Sequence, residues 1–161
     1  MRYFNIIVAM NEDRVIGADG KMFWYYPDDL KRFKKLTKGG SVIMGRQTWD
    51  SLTKKPLPGR ANYVLTKDSM WKGRGAISAD SFRDALTFSN RYRSCWVIGG
   101  GMVYEEALKY PELIERIEVT LVPDKTVGKN VVRFPELGNE WVISKSEKLG
   151  VLTFNTYVEI Q

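Results

Sequence analysis

The segment Trp96-Val97-Ile98-Gly99-Gly100-Gly101-Met102-Val103-Tyr104 indicates the fold class more directly than any other part of the chain. It reads as the end of an apolar strand, three consecutive glycines, and the start of a helix that continues to Lys109. A strand without polar alternation is typical of a position buried on both faces, as in a parallel sheet covered by helices. The segment therefore predicts an α/β fold in which a helix follows a buried strand across a glycine turn.

The same alternation of strand and helix runs through the first two thirds of the chain. The sequence predicts strands at Tyr3–Met10, Ser41–Met44, Tyr63–Thr66 and Cys95–Ile98, and helices at Pro27–Lys38, Gln47–Leu52, Ser81–Ser89 and Met102–Lys109. After Pro111, apolar and polar residues alternate in three runs, which favours antiparallel strands at one edge: Arg116–Val122, Trp141–Lys148 and Thr153–Ile160. We expect one domain, residues 1–161, with a mostly parallel central sheet, an antiparallel C-terminal edge and flanking helices.

Composition restricts the class of protein. The chain of 161 residues has one cysteine, Cys95, and no histidine, which excludes a disulfide framework and leaves no ordinary zinc site. Residues 1–10 lack the apolar core of a signal peptide, and no segment reaches the ~20 apolar residues of a membrane span. We therefore expect a cytoplasmic protein, and a monomer. The net charge of +6 suits an anionic partner, but the basic residues are dispersed, so nucleic acid is not expected.

Asp29 is the most informative single residue for function. On the first predicted helix, at about 100° per residue, one side is apolar and carries Leu30, Phe33 and Leu36. Asp29 falls near the centre of that side, whereas Asp28 points away from it. An acid that faces a core is costly unless a polar group meets it, which suggests a ligand with hydrogen-bond donors. An acid in the first turn also stabilises a helix through its dipole, so the position alone leaves both explanations open.

Two glycine turns predict phosphate binding. In Val42–Trp49, as in Trp96–Tyr104, a buried strand ends at glycine and passes into a helix, whose first N–H groups are free to bind an anion. Either turn alone is equally consistent with a tight bend, but two in one small sheet suggest a dinucleotide. No acid stands where one would hold a ribose hydroxyl. Arg46 and Lys67 instead follow two of the strands, where a cation meets a 2′-phosphate, so NADPH is favoured over NADH.

Several ordered motifs together resemble the dihydrofolate reductase family over nearly the whole chain. They are Asp13–Gly17, Met22–Trp24 followed by Pro27–Phe33, Val42–Trp49, Pro56–Arg60, Val97–Gly101 with Tyr104, and Glu118–Thr120. The resemblance implies a dihydrofolate reductase-like fold and the reduction of dihydrofolate to tetrahydrofolate by NADPH. Hydride would be transferred to C6 of the pterin and a proton added at N5, in support of one-carbon metabolism and thymidylate synthesis.

The resemblance also implies a substrate site. Asp29 would hold the pterin, Thr120 would support that acid, and Arg60 would bind the glutamate carboxylate through two hydrogen bonds. Trp24 and Tyr104 would join Asp29 and Thr120 as catalytic residues. The remaining substrate contacts implied are Ile7, Leu30, Phe33, Leu52, Leu57 and Ile98, with Lys55 adding positive charge near the glutamate tail.

The implied cofactor site lies on loops and helix starts. The residues around the nicotinamide would be Ala9, Ile16, Gly17, Met22 and Trp24, and those around the adenosine and its phosphate would be Gly45, Arg46, Gln47, Thr48, Thr66 and Lys67. The pyrophosphate and the nicotinamide ribose would meet Gly99, Gly100, Gly101, Met102, Val103 and Tyr104. The family has a cis peptide in this glycine run, so we expect one at Gly99–Gly100.

The chain departs from the family at two loops. Phe23 stands where a proline usually separates the methionine from the tryptophan, so the φ restriction that a proline would give this loop is missing. Lys129 follows Gly128 where the family commonly has an acid. The hydrogen bonding of that second loop to the Met22 loop therefore cannot be carried over.

Two alternatives remain beside this interpretation. A reductase for another pterin or a pyrimidine shares the fold, and loss of Asp29 or Arg60 would favour it, but both residues are present. A non-catalytic basic module that binds nucleic acid or assembles into a larger particle would not need Asp29 together with Arg60 and two glycine turns.

Overall fold

The structure, a computed structural model, describes residues 3–89 and 92–160, so the predicted N-terminal segment 1–10 and the predicted domain 1–161 extend beyond it. In chain order, the strands are β1 (Phe4–Met10), β2 (Val15–Ala18), β3 (Ser41–Gly45), β4 (Ala61–Leu65), β5 (Ala76–Ala79), β6 (Cys95–Gly99), β7 (Ile114–Leu121), β8 (Val131–Arg133), β9 (Trp141–Leu149) and β10 (Leu152–Glu159). The helices are α1 (Pro27–Thr37), α2 (Arg46–Ser51), α3 (Phe82–Ser89) and α4 (Gly101–Ala107), and a 3₁₀ turn spans Pro111–Leu113.

Eight of these strands form one sheet in the order β5-β4-β3-β6-β1-β7-β10-β9. All neighbours from β5 to β7 pair in parallel, whereas β10 is antiparallel to both β7 and β9. The predicted mostly parallel sheet with an antiparallel C-terminal edge is therefore confirmed.

One strand direction within that edge differs from the prediction. The run Arg116–Val122 was expected to be antiparallel, but β7 pairs in parallel with β1. Its polar positions include Glu118 and Thr120, which are 5% and 1% exposed. The alternation in this run therefore reflects polar side chains enclosed within the molecule rather than a solvent face.

The two faces of the sheet carry separate apolar clusters. The first cluster joins β1, β4 and β6 to α3 and α4 through residues such as Ile6, Tyr63, Phe82 and Val103. The second packs β3 and β6 against α1 and α2, and its largest buried member is Trp96. Complete burial of one such side chain stabilises the fold by roughly 1.5–3 kcal/mol. As predicted, four strands are buried on both faces: β1, β3, β4 and β6.

The predicted helices agree with the structure within one or two residues at each end, but three short strands were not predicted. β5 lies at one edge of the main sheet, and β2 pairs with β8 in a separate two-stranded sheet. Of the antiparallel edge, β9 is exposed along its whole length except Trp141. No helix in the described part of the chain is long and apolar enough to span a membrane.

The parallel arrangement places several chain segments at one edge of the sheet. The carboxyl ends of β1, β3, β4, β6 and β7 meet there, and α2 and α4 begin immediately after β3 and β6 or one residue later. Ligands of open α/β sheets bind at this edge because the strands end there and the helix N-termini face it.

Candidate active site

Asp29 occupies the first turn of α1 and faces β7. Its carboxylate is half-buried, and Asp28 beside it is exposed, as the helical periodicity predicts. Thr120 is 1% exposed and donates its hydroxyl hydrogen to Asp29 Oδ1 over 2.7 Å. Burial raises the pKa of Asp29, and the Thr120 hydrogen bond and the charge of Arg32 act in the opposite direction. The acid is thus held in place but is harder to ionise than in water.

The local sequence explains why α1 begins where it does. Pro27 is suited to the first helical turn because its missing N–H has no partner to lose there. The preceding residue, Tyr26, has an extended backbone, and its carbonyl accepts the Asp29 N–H at 3.1 Å. The Tyr26 hydroxyl donates to Asp124 Oδ1 at 2.5 Å, in the segment after β7. The start of the helix is therefore fixed to the segment that follows the strand carrying Thr120.

An apolar wall lies beside Asp29. The second apolar cluster of the core includes five of the predicted substrate contacts: Ile7, Phe33, Leu52, Leu57 and Ile98. Leu30 does not join this cluster and is 46% exposed. It directly follows Asp29, and one step along a helix rotates the side chain by about 100°, which places Leu30 at the rim of the apolar stripe. The structure therefore brings together the predicted aromatic and aliphatic contacts, with Leu30 at their edge.

Arg60 lies at the far end of that wall. It donates from Nη1 to Thr37 Oγ1 at 3.0 Å and from Nε to the Pro58 carbonyl at 2.9 Å. Its guanidinium carbon is 5.8 Å from the centre of the Phe33 ring. Partial burial lowers the pKa of Arg60, but arginine remains charged at neutral pH. A half-buried cation is thus oriented by bonds from two sides at the end of an apolar wall.

Asn62 holds the turn that carries Arg60, and sequence analysis missed it. Its side-chain oxygen accepts from the Leu57 N–H at 2.9 Å, and its amide donates to the carbonyls of Leu57 and Arg60 at 3.1 and 2.9 Å. It is 1% exposed. The available signal was a polar residue within the apolar strand β4, since a buried amide requires hydrogen-bond partners.

Lys55 lies beyond the end of α2, and its ammonium group reaches back to the last turn of that helix. Its Nζ donates to the carbonyls of Trp49 and Asp50 at 3.3 and 3.2 Å. A cation at this position stabilises the negative end of the helix dipole. The Lys55 ammonium group, which the resemblance placed near the glutamate tail of the substrate, is therefore hydrogen-bonded to the protein backbone.

The two predicted phosphate turns are adjacent in space. β3 and β6 are neighbours, and Met44 is paired with Gly99. A Cβ built on Gly45 would lie 3.2 Å from Val103 Cγ2, which shows how closely the turns approach. The expected cis peptide at Gly99–Gly100 is confirmed. Gly99 has φ of 128°, a conformation that L side chains rarely adopt, so glycine is required there.

Thr48 connects the two turns. Its Oγ1 lies 3.5 Å from the position that a Cβ would take on either Gly99 or Gly100. Gly45 and Gly100 are the N-caps of α2 and α4, so the backbone N–H groups of both first turns lie at this surface. The predicted residues Gly101, Met102 and Val103 form the first turn of α4, where Met102 is 82% exposed. Such a surface fits a pyrophosphate, because side chains would obstruct close approach of its oxygens to the backbone.

Arg46 is the predicted cation for the adenosine phosphate. Its side chain is half-exposed and lies 3.9 Å from an Asp50 carboxylate oxygen and 3.7 Å from one of Asp68. Its guanidinium carbon is 5.9 Å from the Trp71 ring centre. Gln47, which follows Arg46, and Lys67, which precedes Asp68, are both exposed. Thr66 Oγ1 accepts the Asp68 N–H at 3.1 Å. A phosphate at Arg46 would therefore compete with two weak, exposed ion pairs.

Tyr104 contacts the strand that lies at the centre of the site. It is 4% exposed, and its hydroxyl donates to the Ile7 carbonyl at 2.8 Å. Burial raises the pKa of Tyr104, and the negative charge of Asp29 acts in the same direction. Tyr104 is therefore a neutral hydrogen-bond donor. The Ile7 carbonyl can accept a second hydrogen bond, because a carbonyl oxygen has two lone pairs.

The predicted nicotinamide contacts lie on β1 and on the loop after β2. Ala9 is half-buried in β1, and Ile16 and Gly17 are in β2. Met22 is 55% exposed. Trp24 packs on a small cluster of Val122, Leu152 and Phe154, and its ring meets Phe23 edge to face at 4.7 Å between centroids.

The loop before Met22 bonds to the Gly128 loop through an acid that was not predicted. Asp19 Oδ2 accepts the Lys129 N–H at 2.9 Å, and Asp19 Oδ1 accepts from Asn130 Nδ2 at 3.1 Å. The Asp19 N–H in turn donates to the Lys129 carbonyl at 2.9 Å. The contact that could not be carried over from the family is therefore present, with the acid on the Met22 side instead of after Gly128.

Comparisons with known proteins agree with this arrangement. The sequence profile described as dihydrofolate reductase matches residues 3–158. A dihydrofolate reductase of Mycobacterium tuberculosis is 38% identical over 143 residues, which are 88% of this chain and 85% of that protein. A dihydrofolate reductase of Bacillus subtilis is 34% identical over 145 residues, which are 89% of this chain and 83% of that protein.

A solved structure supports the same assignment. Dihydrofolate reductase from Enterococcus faecalis, complexed with NADP(H), aligns with a TM-score of 0.86 and 26% sequence identity. The alignment covers 98% of this chain and 96% of that chain. The match of the family profile to nearly the whole sequence, together with relatives above 30% identity, shows that this chain belongs to the dihydrofolate reductase family.

Proposed function

We propose that this chain, an NADPH-dependent dihydrofolate reductase, holds the pterin of dihydrofolate against Asp29, between α1 and the ends of the strands. The observation that carries this assignment is the half-buried Asp29 carboxylate bonded to Thr120 at 2.7 Å. An acid held at this position can accept hydrogen bonds from pterin N3 and the 2-amino group. These contacts would fix the orientation of the ring, and orientation is a large part of catalysis.

The rest of the substrate extends along the apolar wall. Phe33, Leu52 and Ile98 supply surface for the aromatic rings of dihydrofolate, and Arg60 at the end of the wall binds the glutamate carboxylate. Two oriented N–H groups of a guanidinium match two carboxylate oxygens, a geometry that lysine lacks. This assignment distinguishes dihydrofolate from pterins without a glutamate tail.

The cofactor residues fit a dinucleotide with a 2′-phosphate. The glycines at 45 and 99–101 allow close approach of a pyrophosphate to the backbone, and Arg46 provides a cation for the additional phosphate. Bound NADPH supplies the hydride that reduces C6 of the pterin. Tyr104 supports this region by holding the Ile7 carbonyl in a fixed direction.

The proton added at N5 requires a separate route. A carboxyl group bonded to N3 and the 2-amino group cannot also reach N5. We assign the transfer to water admitted at the exposed Met22 loop, with Asp29 favouring protonation of the ring through its charge. The raised pKa of Asp29 suits this role, because the group changes charge closer to neutral pH than an exposed aspartate.

A substrate panel tests the assignment. The protein is mixed with NADPH and either dihydrofolate or a simple dihydropterin, and absorbance is followed at about 340 nm, the nicotinamide band. We expect oxidation of NADPH with dihydrofolate, and a much higher KM for the dihydropterin. Equal kcat/KM for the two substrates would contradict the Arg60 assignment and favour a reductase of another pterin.

We also propose that residues 1–161 fold as one domain and act as a cytoplasmic monomer that does not bind nucleic acid. The continuous eight-stranded sheet, which includes strands from both ends of the described chain, supports the single domain. Light scattering during gel filtration at increasing protein concentration tests the oligomeric state, and a dimer mass at all concentrations would contradict a monomer.

A further inference from the structure

A cluster of charges is centred on the buried Glu118 of β7, the strand that also carries the Thr120 partner of Asp29. Glu118 on β7 is 5% exposed, and its Oε1 accepts from Arg32 Nη2 at 3.1 Å. Its Oε2 accepts from Arg116 Nε at 3.0 Å, and Thr156 on β10 donates its hydroxyl hydrogen to Oε1 at 2.5 Å. One carboxylate therefore lies between two guanidinium groups. Such groups enter a protein interior only when they are paired, because the loss of hydration is costly.

The cluster continues the face on which Asp29 is held. Glu118 and Thr120 are two residues apart on β7 and therefore project from the same side of the sheet. Thr120 bonds Asp29, and Phe154 of β10 is its cross-strand neighbour. Arg32 follows Asp29 by three residues on α1, a spacing that makes two side chains neighbours on a helix. Its guanidinium carbon lies 4.5 Å from the centre of the Phe154 ring.

Arg32 is the charged neighbour that acts on Asp29, and its own charge is only partly matched by hydrogen bonds. Arg32 lowers the pKa of Asp29, against the effect of burial. Its second nitrogen, Nη1, is buried and has no hydrogen-bond partner within residues 3–89 and 92–160, so only part of its charge is matched by direct bonds. Glu118 provides the compensating negative charge. From α4, Tyr104 faces Asp29 as a neutral group, and Lys31 of α1 is exposed.

We propose that Arg32 and Glu118 are positioning residues that set the electrostatic environment of the Asp29 carboxyl. Arg32 stabilises its ionised form, and Glu118 limits that stabilisation by neutralising Arg32. The two residues thus act on Asp29 in opposite directions, although they are bonded to each other. The consequence for catalysis rests on the proposed role of Asp29, whereas the effect on the Asp29 carboxyl itself does not require substrate.

Titration of Asp29 by NMR tests this inference in the protein without substrate. Aspartate labelled with ¹³C at the side-chain carboxyl is incorporated, and the Asp29 signal is identified by its loss in Asp29→Asn. We expect Arg32→Met to raise the pKa of Asp29 by about one unit and Glu118→Gln to lower it by a similar amount. A role limited to packing predicts no such pair of opposite shifts.

Matched variants separate charge from structure. Lys31→Met removes the same charge from the exposed side of α1 and should shift the pKa of Asp29 by less than about 0.2 unit. Arg32→Lys keeps the charge and should retain most of the native value. Arg32→Met combined with Glu118→Gln removes both charges, so the pKa of Asp29 should lie between those of the two single variants. If Arg32→Met alone fails to fold, the test rests on the other two variants. The pKa of Asp29 should then be lower in Glu118→Gln than in the unmodified protein, and higher in the double variant than in Glu118→Gln.

The proposal is overturned if Glu118→Gln leaves the pKa of Asp29 unchanged within about 0.2 unit or raises it. It is also overturned if both single variants shift it in the same direction. The pH profile of single-turnover hydride transfer should move with the NMR value in each variant. Opposite NMR shifts with an unmoved pH profile would support the electrostatic role of Arg32 and Glu118 and contradict the proposed role of Asp29 in the reaction.

Discussion

The substrate acid and the loop at the cofactor side are held by very different means. Asp29 lies on a helix and bonds to Thr120, which is 1% exposed in a strand between two other strands. The side chain of Asp19 is bonded to Lys129 and Asn130 by two hydrogen bonds, both exposed to solvent. Exposed hydrogen bonds compete with water and open readily, whereas buried ones are retained with the fold.

This difference indicates a division of tasks. Groups that orient the substrate lie on rigid elements, where a displacement of about 1 Å would be costly for the reaction. Groups that admit and release ligands lie on a loop whose hydrogen bonds are weak enough to break and re-form during turnover. Substitutions in the two regions should therefore affect different kinetic steps.

The largest effect is expected at Asp29. Asp29→Asn should reduce single-turnover hydride transfer by about 10²-fold or more at neutral pH, while the Kd for NADPH stays near its normal value, because this acid faces only the pterin. Asp28→Asn is the matched control, since it removes the adjacent, exposed acid and should have little effect. Equal losses in the two variants would show that the difference between the faces of α1 has no bearing on catalysis.

The same substitution should increase stability. The pKa of Asp29 is raised in the folded protein, so its contribution to stability is complete at acid pH, below its ordinary value of 3.8, and is lost as pH rises through the raised value. An asparagine at this position is uncharged at acid and at neutral pH, so it has no such dependence on pH. The Tm of Asp29→Asn relative to the unmodified protein should therefore increase between about pH 4 and neutral pH. A Tm difference that falls over this interval would contradict the assigned direction.

Arg46 should give the next largest effect. Arg46→Ala should lower the preference for NADPH over NADH by roughly 1–3 kcal/mol, or about 5- to 150-fold, because a charged hydrogen bond to the phosphate is lost. The ratio of kcat/KM for the two cofactors measures it. Arg74→Ala, which removes another exposed cation, should leave the ratio unchanged. Equal kcat/KM for both cofactors in the unmodified enzyme would contradict the assignment of Arg46 altogether.

More of the rigid region than of the loops could be predicted from the sequence. The strand, glycine turn and helix from Trp96 to Tyr104 are specified locally, by apolar residues and glycines that are adjacent in the chain. Asp29 could be identified because helical periodicity places it relative to its neighbours. In contrast, the partners Arg32 and Glu118 are 86 residues apart, and only the pairing of β7 with β1 and the packing of α1 bring them together.

Short elements were missed for a related reason. β2 and β8 have four and three residues, and each is stable only through its pairing with the other, more than 100 residues away. Asp19 acquires its role from the same pairing. A pattern of adjacent residues contains no information about such contacts, so the acid on the Met22 side was not found.

Arg60 offers a test within the rigid region that should leave chemistry intact. Arg60→Lys should raise the KM for dihydrofolate by several-fold to about tenfold and change kcat less, since one charged two-pronged contact far from the reacting atoms becomes a single one. Lys34→Met is a suitable control, because Lys34 is an exposed cation on the neighbouring helix. An unchanged KM in Arg60→Lys would leave Arg60 as a residue that only packs against Phe33 and Thr37.

The smallest effect on the chemical step is expected at Phe23, in the loop region. A proline there would restrict φ and remove an N–H, which would narrow the conformations that the Met22 loop adopts. Phe23→Pro should therefore change steady-state kcat or the rate of product release by several-fold and leave the single-turnover hydride rate within about twofold. Phe23→Ala is the control, because it removes the ring contact with Trp24 without restricting φ. If Phe23→Pro changed the single-turnover rate as much as kcat, the loop would organise the reacting groups themselves. The separation between a rigid substrate region and a gating loop would then have to be abandoned.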